Sequence, residues 1–146
     1  DILCAPIMNE EGVAQFYLPR GRWTDIISGR VYEGERWHTE VMDYFHMPVL
    51  ARPGSVIVRG AFERDFEYDY LESAEAVIYE LDDGCSTSTV IYDSEGNMLC
   101  ELTASRAGNE IRLSYTKTSR SFTARASQGG SPVSCPAGSC EAVIKL

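Results

Sequence analysis

The sequence predicts an all-β fold of two small antiparallel β-sandwich-like units, and three observations carry that prediction. Apolar residues recur with a period of two: in EIRLSYT (110–116), Ile111, Leu113 and Tyr115 alternate with Glu110, Arg112, Ser114 and Thr116, the pattern of a half-buried strand. Turn-forming clusters such as NEEG (9–12), LPRG (18–21), RPGS (52–55), DDG (82–84), SEGN (94–97) and RAGN (105–108) punctuate the chain. Their spacing is close to the roughly 8–12 residues of all-β sandwiches. No window of about 11 residues carries the apolar stripe of an amphipathic helix.

Taken in order, DILCAPI (1–7) already reads as an apolar strand, so the chain looks like a segment cut from something longer. VAQFYL (13–18) is a second strand. YLPRGRWTDIISGRVYEG (17–34) reads as a hairpin with Trp23 closing a strand end, and Trp37 follows in RWHTEV, where His38 is expected to face outward. In PVLARPGSVIVRG (48–60), β-rich residues 49–52 and 56–59 flank Pro53-Gly54, which predicts a tight turn between paired strands and a positive φ at Gly54. AFERDFEYDYLES (61–73) is charged and aromatic, without Gly or Pro, and reads as an extended connection or edge strand. The unit boundary is placed near residues 60–72, giving a proximal unit over 1–60, short of strands, and a distal unit over 61–146.

The distal unit continues with EAVIYEL (75–81), TSTVIYD (87–93) and MLCELTA (98–104), with YDSEGNML (92–99) as a local hairpin. SQGGSPVSCPAGSC (127–140), whose single bulky apolar residue is Val133, reads as a long surface loop before the last strand, EAVIKL (141–146).

Composition excludes several classes. The net charge of −9, from 22 acids and 13 bases, repels a phosphate backbone and argues against nucleic acid as a partner. No apolar run approaches the ~20 residues of a membrane helix. Five scattered cysteines, Cys4, Cys85, Cys100, Cys135 and Cys140, are odd in number and read as thiols of a reducing, cytoplasmic compartment.

No catalytic constellation emerges. His38 and His46 have no nucleophile in a strained G-x-S-x-G turn to serve. Cys135 and Cys140 flank PAGS without a second cysteine pair or a later histidine, so no metal is expected, and no cofactor. DSEGN and ELDDG depart from the calcium-loop spacing. Asp82-Asp83 reads as a turn, and the acids of residues 63–69 as surface. Trp23 and Trp37 remain: core or interface positions on the first reading, a carbohydrate-stacking platform on the second.

The ordered segments DILCAPIMNEEG, YLPRGRW, GERW and PVLARPGS resemble the region that follows the catalytic barrel in glycoside hydrolase family 31. There an apolar strand, a YLP-G-W segment, a G-W segment and a P-VRPGS turn succeed one another; the counterparts here are residues 2–7, 17–23, 34–37 and 48–55. EYDYLESAEAVIYELDDG (67–84) is similar to the start of the distal C-terminal β-domain of bacterial α-xylosidases. The resemblance runs over about residues 1–112. It implies two non-catalytic β-sandwich domains packed on a (β/α)8 barrel that carries both catalytic aspartates, so no catalytic residue falls in this chain. It further implies a retaining α-glycosidase acting on terminal α-linked xylose or a related sugar, with that barrel as partner. A stand-alone carbohydrate-binding module using Trp23 and Trp37 is the alternative, and a domain for homo-oligomer contacts a third.

Overall fold

A computed structural model describes residues 1–60, 71, 73–116 and 118–146. They form β-strands joined by turns, and no helix occurs among the described residues. The chain divides into two compact units, Asp1–Pro53 and Gly54–Leu146.

The first unit contains β1 (Ile2–Cys4), β2 (Val13–Leu18), β3 (Arg22–Asp25), β4 (Val31–Glu33), β5 (Arg36–Val41) and β6 (Val49–Ala51). A four-stranded antiparallel sheet in the order β1-β6-β3-β4 faces a two-stranded ribbon of β2 and β5. The alternation of VAQFYL turns Ala14, Phe16 and Leu18 inward, where they meet Trp23, Tyr32, Leu50 and Ala5 in one small core. Asp25 ends β3 and holds the turn to β4: its Oδ1 accepts the Ile27 N–H at 2.8 Å and the Ser28 N–H at 3.2 Å. This is the local turn that aspartate offers the backbone. The β3–β4 hairpin, with Trp23 opposite Tyr32, bears out the reading of residues 17–34.

The second unit contains β7 (Ser55–Arg59), β8 (Glu75–Tyr79), β9 (Ser86–Tyr92), β10 (Met98–Ala107), β11 (Glu110–Tyr115), β12 (Phe122–Ala126), β13 (Gly129–Cys135) and β14 (Glu141–Lys145). Sheets in the orders β14-β11-β10-β9 and β13-β12-β8-β7 contribute to a single core in which Ile78, Leu102, Ile111, Leu113, Phe122 and Ile144 are fully buried. The β9–β10 hairpin forms around Asp93, whose Oδ1 accepts the N–H groups of Glu95 and Asn97 at 2.9 and 2.7 Å. β8 and β12 pair in parallel, while the other pairings of this unit are antiparallel.

Several expectations need correction. Gly54 does have a φ of 73°, but the strands flanking Pro53-Gly54 do not pair with each other. β6 lies between β1 and β3, whereas β7 pairs with β8, so the turn passes the chain from one unit to the next. The stretch 127–140 is not a loop throughout: β13 pairs with β12 from Gly129 to Cys135 and ends on a buried Cys135. It is an edge strand, where Pro132 and a run of outward small residues are tolerated, so it lacks an apolar rhythm. The connection expected over 61–73 lies, but for Leu71 and Ser73, outside the described residues.

Candidate functional site

Each sequence-predicted candidate among the described residues takes a definite place. Trp23 is 6% exposed, and its indole N–H donates to the Pro19 carbonyl at 2.9 Å, so the side chain belongs to the first unit's own core. The close approach that permits this rests on Gly34, whose N–H donates to the Gly21 carbonyl at 2.7 Å. Trp37 is the opposite case, 71% exposed on β5.

The phase of β5 is the reverse of the expected one. Phe16 pairs with His38 and Tyr17 with Trp37, so His38 turns inward and Trp37 outward. His38 stacks on Phe16 with ring centroids 5.5 Å apart and meets Tyr32 edge to face at 5.2 Å. Its Nε2–H donates to the Glu33 carbonyl at 2.9 Å. Arg30 covers the other side of this cluster, 4.7 Å from the Tyr32 ring centroid and 2.9 Å from Glu40 Oε2. Burial pushes the Tyr32 phenol up, Glu40 adds to the rise and Arg30 opposes it. These are structural roles.

The remaining polar candidates are also absorbed locally. His46 Nδ1 lies 2.6 Å from Asp43 Oδ1, and that bond, with the Phe45 N–H, holds the Asp43 carboxyl below the usual range. Asp83 accepts the Gly108 N–H at 2.7 Å, beside the Asp82-Asp83-Gly84 turn. Cys135 is buried and Cys140 exposed, with no bridge between them. Among the described residues, no three His, Cys, Asp or Glu side chains converge to hold a metal ion. The acids of residues 63–69 lie outside the described residues.

Two surface features of the first unit stand out. Among the described residues, ten of the thirteen exposed large apolar side chains belong to Asp1–Pro53. Several of them gather at a cleft of about 800 Å³ between the loops after β1 and before β6, where Ile27, Tyr44, Phe45 and Met47 line the walls. Tyr44 and Phe45 are 97% and 86% exposed. Sequence reasoning passed over them because they sit in a turn, where no period marks a face. The other feature is the outer face of the β2–β5 ribbon, with Tyr17 and Trp37 edge to face at 5.8 Å.

Comparison with known proteins identifies the family. Residues 1–57 match the profile of the glycosyl hydrolase family 31 C-terminal domain. Residues 69–146 match that of the alpha-xylosidase YicI C-terminal domain. The chain is 42% identical over 113 residues to alpha-xylosidase XylQ of Lactiplantibacillus pentosus, an alignment that covers 75% of this chain and 15% of that protein. Among solved structures, the α-xylosidase of Xanthomonas citri matches with a TM-score of 0.72 at 17% identity, over 99% of this chain and 18% of that one. The cycloalternan-forming enzyme of Listeria monocytogenes, solved with a pentasaccharide substrate, gives 0.77 at 17% identity, over 100% and 18%. At such identity the likeness is one of fold, and the chain spans a small part of each relative's length.

Proposed function

The chain belongs to glycosyl hydrolase family 31, as its C-terminal domains of the α-xylosidase type, and from that premise we propose that it serves a retaining α-glycosidase releasing terminal α-linked xylose or a related sugar. The observation that carries this reading is the 42% identity to an α-xylosidase, sustained over 75% of the chain. In such an enzyme two carboxylates act on the glycosidic bond, one as nucleophile and one as acid and then base, through a covalent glycosyl intermediate. The match of residues 1–57 and 69–146 to C-terminal domains of the family supports placing the chemistry in a (β/α)8 barrel outside these 146 residues. The exposed apolar side chains at the first unit's cleft, with Tyr44 and Phe45 almost wholly exposed, support a docking role toward that barrel.

The five unpaired cysteines support a reducing, cytoplasmic location. No described helix is long and apolar enough to cross a membrane. The net charge of −9 supports the absence of a nucleic-acid partner.

The test compares this chain with the natural polypeptide that carries it, using a chromogenic α-xyloside. The chain alone is expected to give no turnover, and the natural polypeptide to release α-xylose before its anomers equilibrate. Activity of the chain that survives repurification, or β-xylose as the first product, overturns the reading.

A further inference from the structure

The outer face of the β2–β5 ribbon differs in chemistry from the cleft, whose lining sets Glu10, Glu11 and Asp43 beside its apolar side chains. Three cross-strand pairs face outward in succession: Val13 with Val41, Gln15 with Thr39, and Tyr17 with Trp37. All six side chains are uncharged, on a chain in which 24% of residues are charged. The charges of β5, Arg36 and Glu40, belong to its alternate positions, opposite Leu18 and Ala14. Tyr17 is 45% exposed beside the 71% exposed Trp37, and their planes meet at 60°. At the middle rung the Gln15 amide donates to Thr39 Oγ1 at 3.4 Å. That bond leaves the Gln15 carbonyl, one of its amide hydrogens and the Thr39 hydroxyl hydrogen for a ligand.

We propose that this face is a binding platform for a short neutral oligosaccharide, stacked on Trp37 and Tyr17 and hydrogen-bonded to Gln15 and Thr39. A pyranose presents C–H groups on its ring faces and hydroxyls around its rim. The ribbon presents the complementary order, an aromatic pair followed by an amide and a hydroxyl. The three rungs extend about 13 Å along the strands, enough for a few sugar rings. A protein-docking face would be served by the larger group of exposed apolar side chains, Ile27, Tyr44, Phe45 and Met47, at the cleft. Here the polar rung interrupts the apolar pairs, and the absence of charge suits a ligand that carries none. The proposal does not depend on which sugar the parent enzyme cleaves.

The test uses the whole 146-residue chain and its two tryptophan indole N–H signals in nitrogen-15 NMR. Isomaltotriose, maltotriose and xylotriose are titrated separately to tens of millimolar. The expected result is a saturable shift of the Trp37 indole with at least one probe while the buried Trp23 indole stays still. Trp37→Ala, followed by calorimetry, should weaken binding by about tenfold or more, whereas Trp37→Tyr, which keeps a ring, should lose only about threefold. The unmoved Trp23 signal reports that each variant is folded. If Trp37→Ala disturbs Trp23, Tyr17→Ala on the paired strand takes its place with the same expectation. No saturable shift with any probe, as a surface reserved for protein contact would give, overturns the proposal. So does binding that survives loss of both rings.

Discussion

A Cβ added at Gly34 would collide with the Pro19 carbonyl oxygen and lie 2.8 Å from that of Gly21, and neither backbone atom can swing aside. One added at Gly54 would meet nothing within 4 Å, but it would have to hold a φ of 73°. The first glycine is required for space and the second for conformation. Gly34→Ala is therefore expected to cost as much as about 3 kcal/mol in urea unfolding. Gly54→Val should cost about 1–2 kcal/mol, and an unchanged midpoint would remove the conformational argument. The thiols divide in the same residue-by-residue way. Burial pushes the Cys135 thiol up to about 11, and it raises Cys100 as well. The thiolate is the reactive form. A disulfide reagent at mildly alkaline pH should thus titrate Cys4, Cys85 and Cys140 in the native chain and all five cysteines after unfolding. Fast reaction of Cys135 in the native state would contradict its buried place on β13.

Among the elements, the sheet of β7, β8 and β12 carries an ion-pair row on one face. Glu75 on β8 lies 2.5 Å from Arg59 Nη2 on β7 and 2.8 Å from Arg125 Nε on β12. Burial alone would raise the Glu75 carboxyl, yet the hydrogen bonds of Arg125 and Arg59 together hold it below the usual range. A depressed carboxylate contributes its stabilisation above the unfolded-state pKa and loses it as pH falls through the folded one. Glu75→Gln should therefore lower stability by about 1 kcal/mol at neutral pH, a figure kept small by partial exposure. The gap between variant and wild type should close as pH falls below the ordinary glutamate range, as followed by denaturant midpoints. A gap independent of pH would assign the loss to packing. At this scale most of the second unit was legible, because Ile111, Leu113 and Tyr115, or Ala76 and Ile78, repeat on one face. β5 was legible as a strand but not in phase: its bulky apolar residues, Trp37 and Val41, face outward, and only pairing with Phe16 on β2 turns His38 inward. β13 was illegible because an edge strand with four outward residues in succession has no period to read.

For the molecule as a whole, the two units differ in how much core each holds. The second unites residues from all eight of its strands, whereas the first rests on Phe16, Leu18, Trp23, Tyr32, Leu50 and two alanines. A domain of about 60 residues buries only about 60% of the surface its unfolded chain exposes and is marginal alone. Gly54–Leu146, expressed separately, is expected to unfold cooperatively in a thermal melt, and Asp1–Pro53 to show no transition. A sharp melt of the first unit would overturn that ranking. The two-unit reading was legible from turn spacing and from the familiar motif order. The role of Pro53-Gly54 was not, because it reads as a hairpin turn until the partners of β6 and β7 are known.

The parallel pairing of β8 and β12 sets an order of events during synthesis. Glu75 and Arg125, bonded across that pair, are 50 residues apart, and β9, β10 and β11 are all made in between. The hairpins of the other sheet close locally and early, while one edge of β8 stays open until the ribosome has delivered β12. Contacts of such long sequence separation slow folding and leave strand edges exposed meanwhile. A nascent chain stalled before Phe122 would therefore carry a sticky, half-zipped sheet, and quality-control machinery would meet this region in that state.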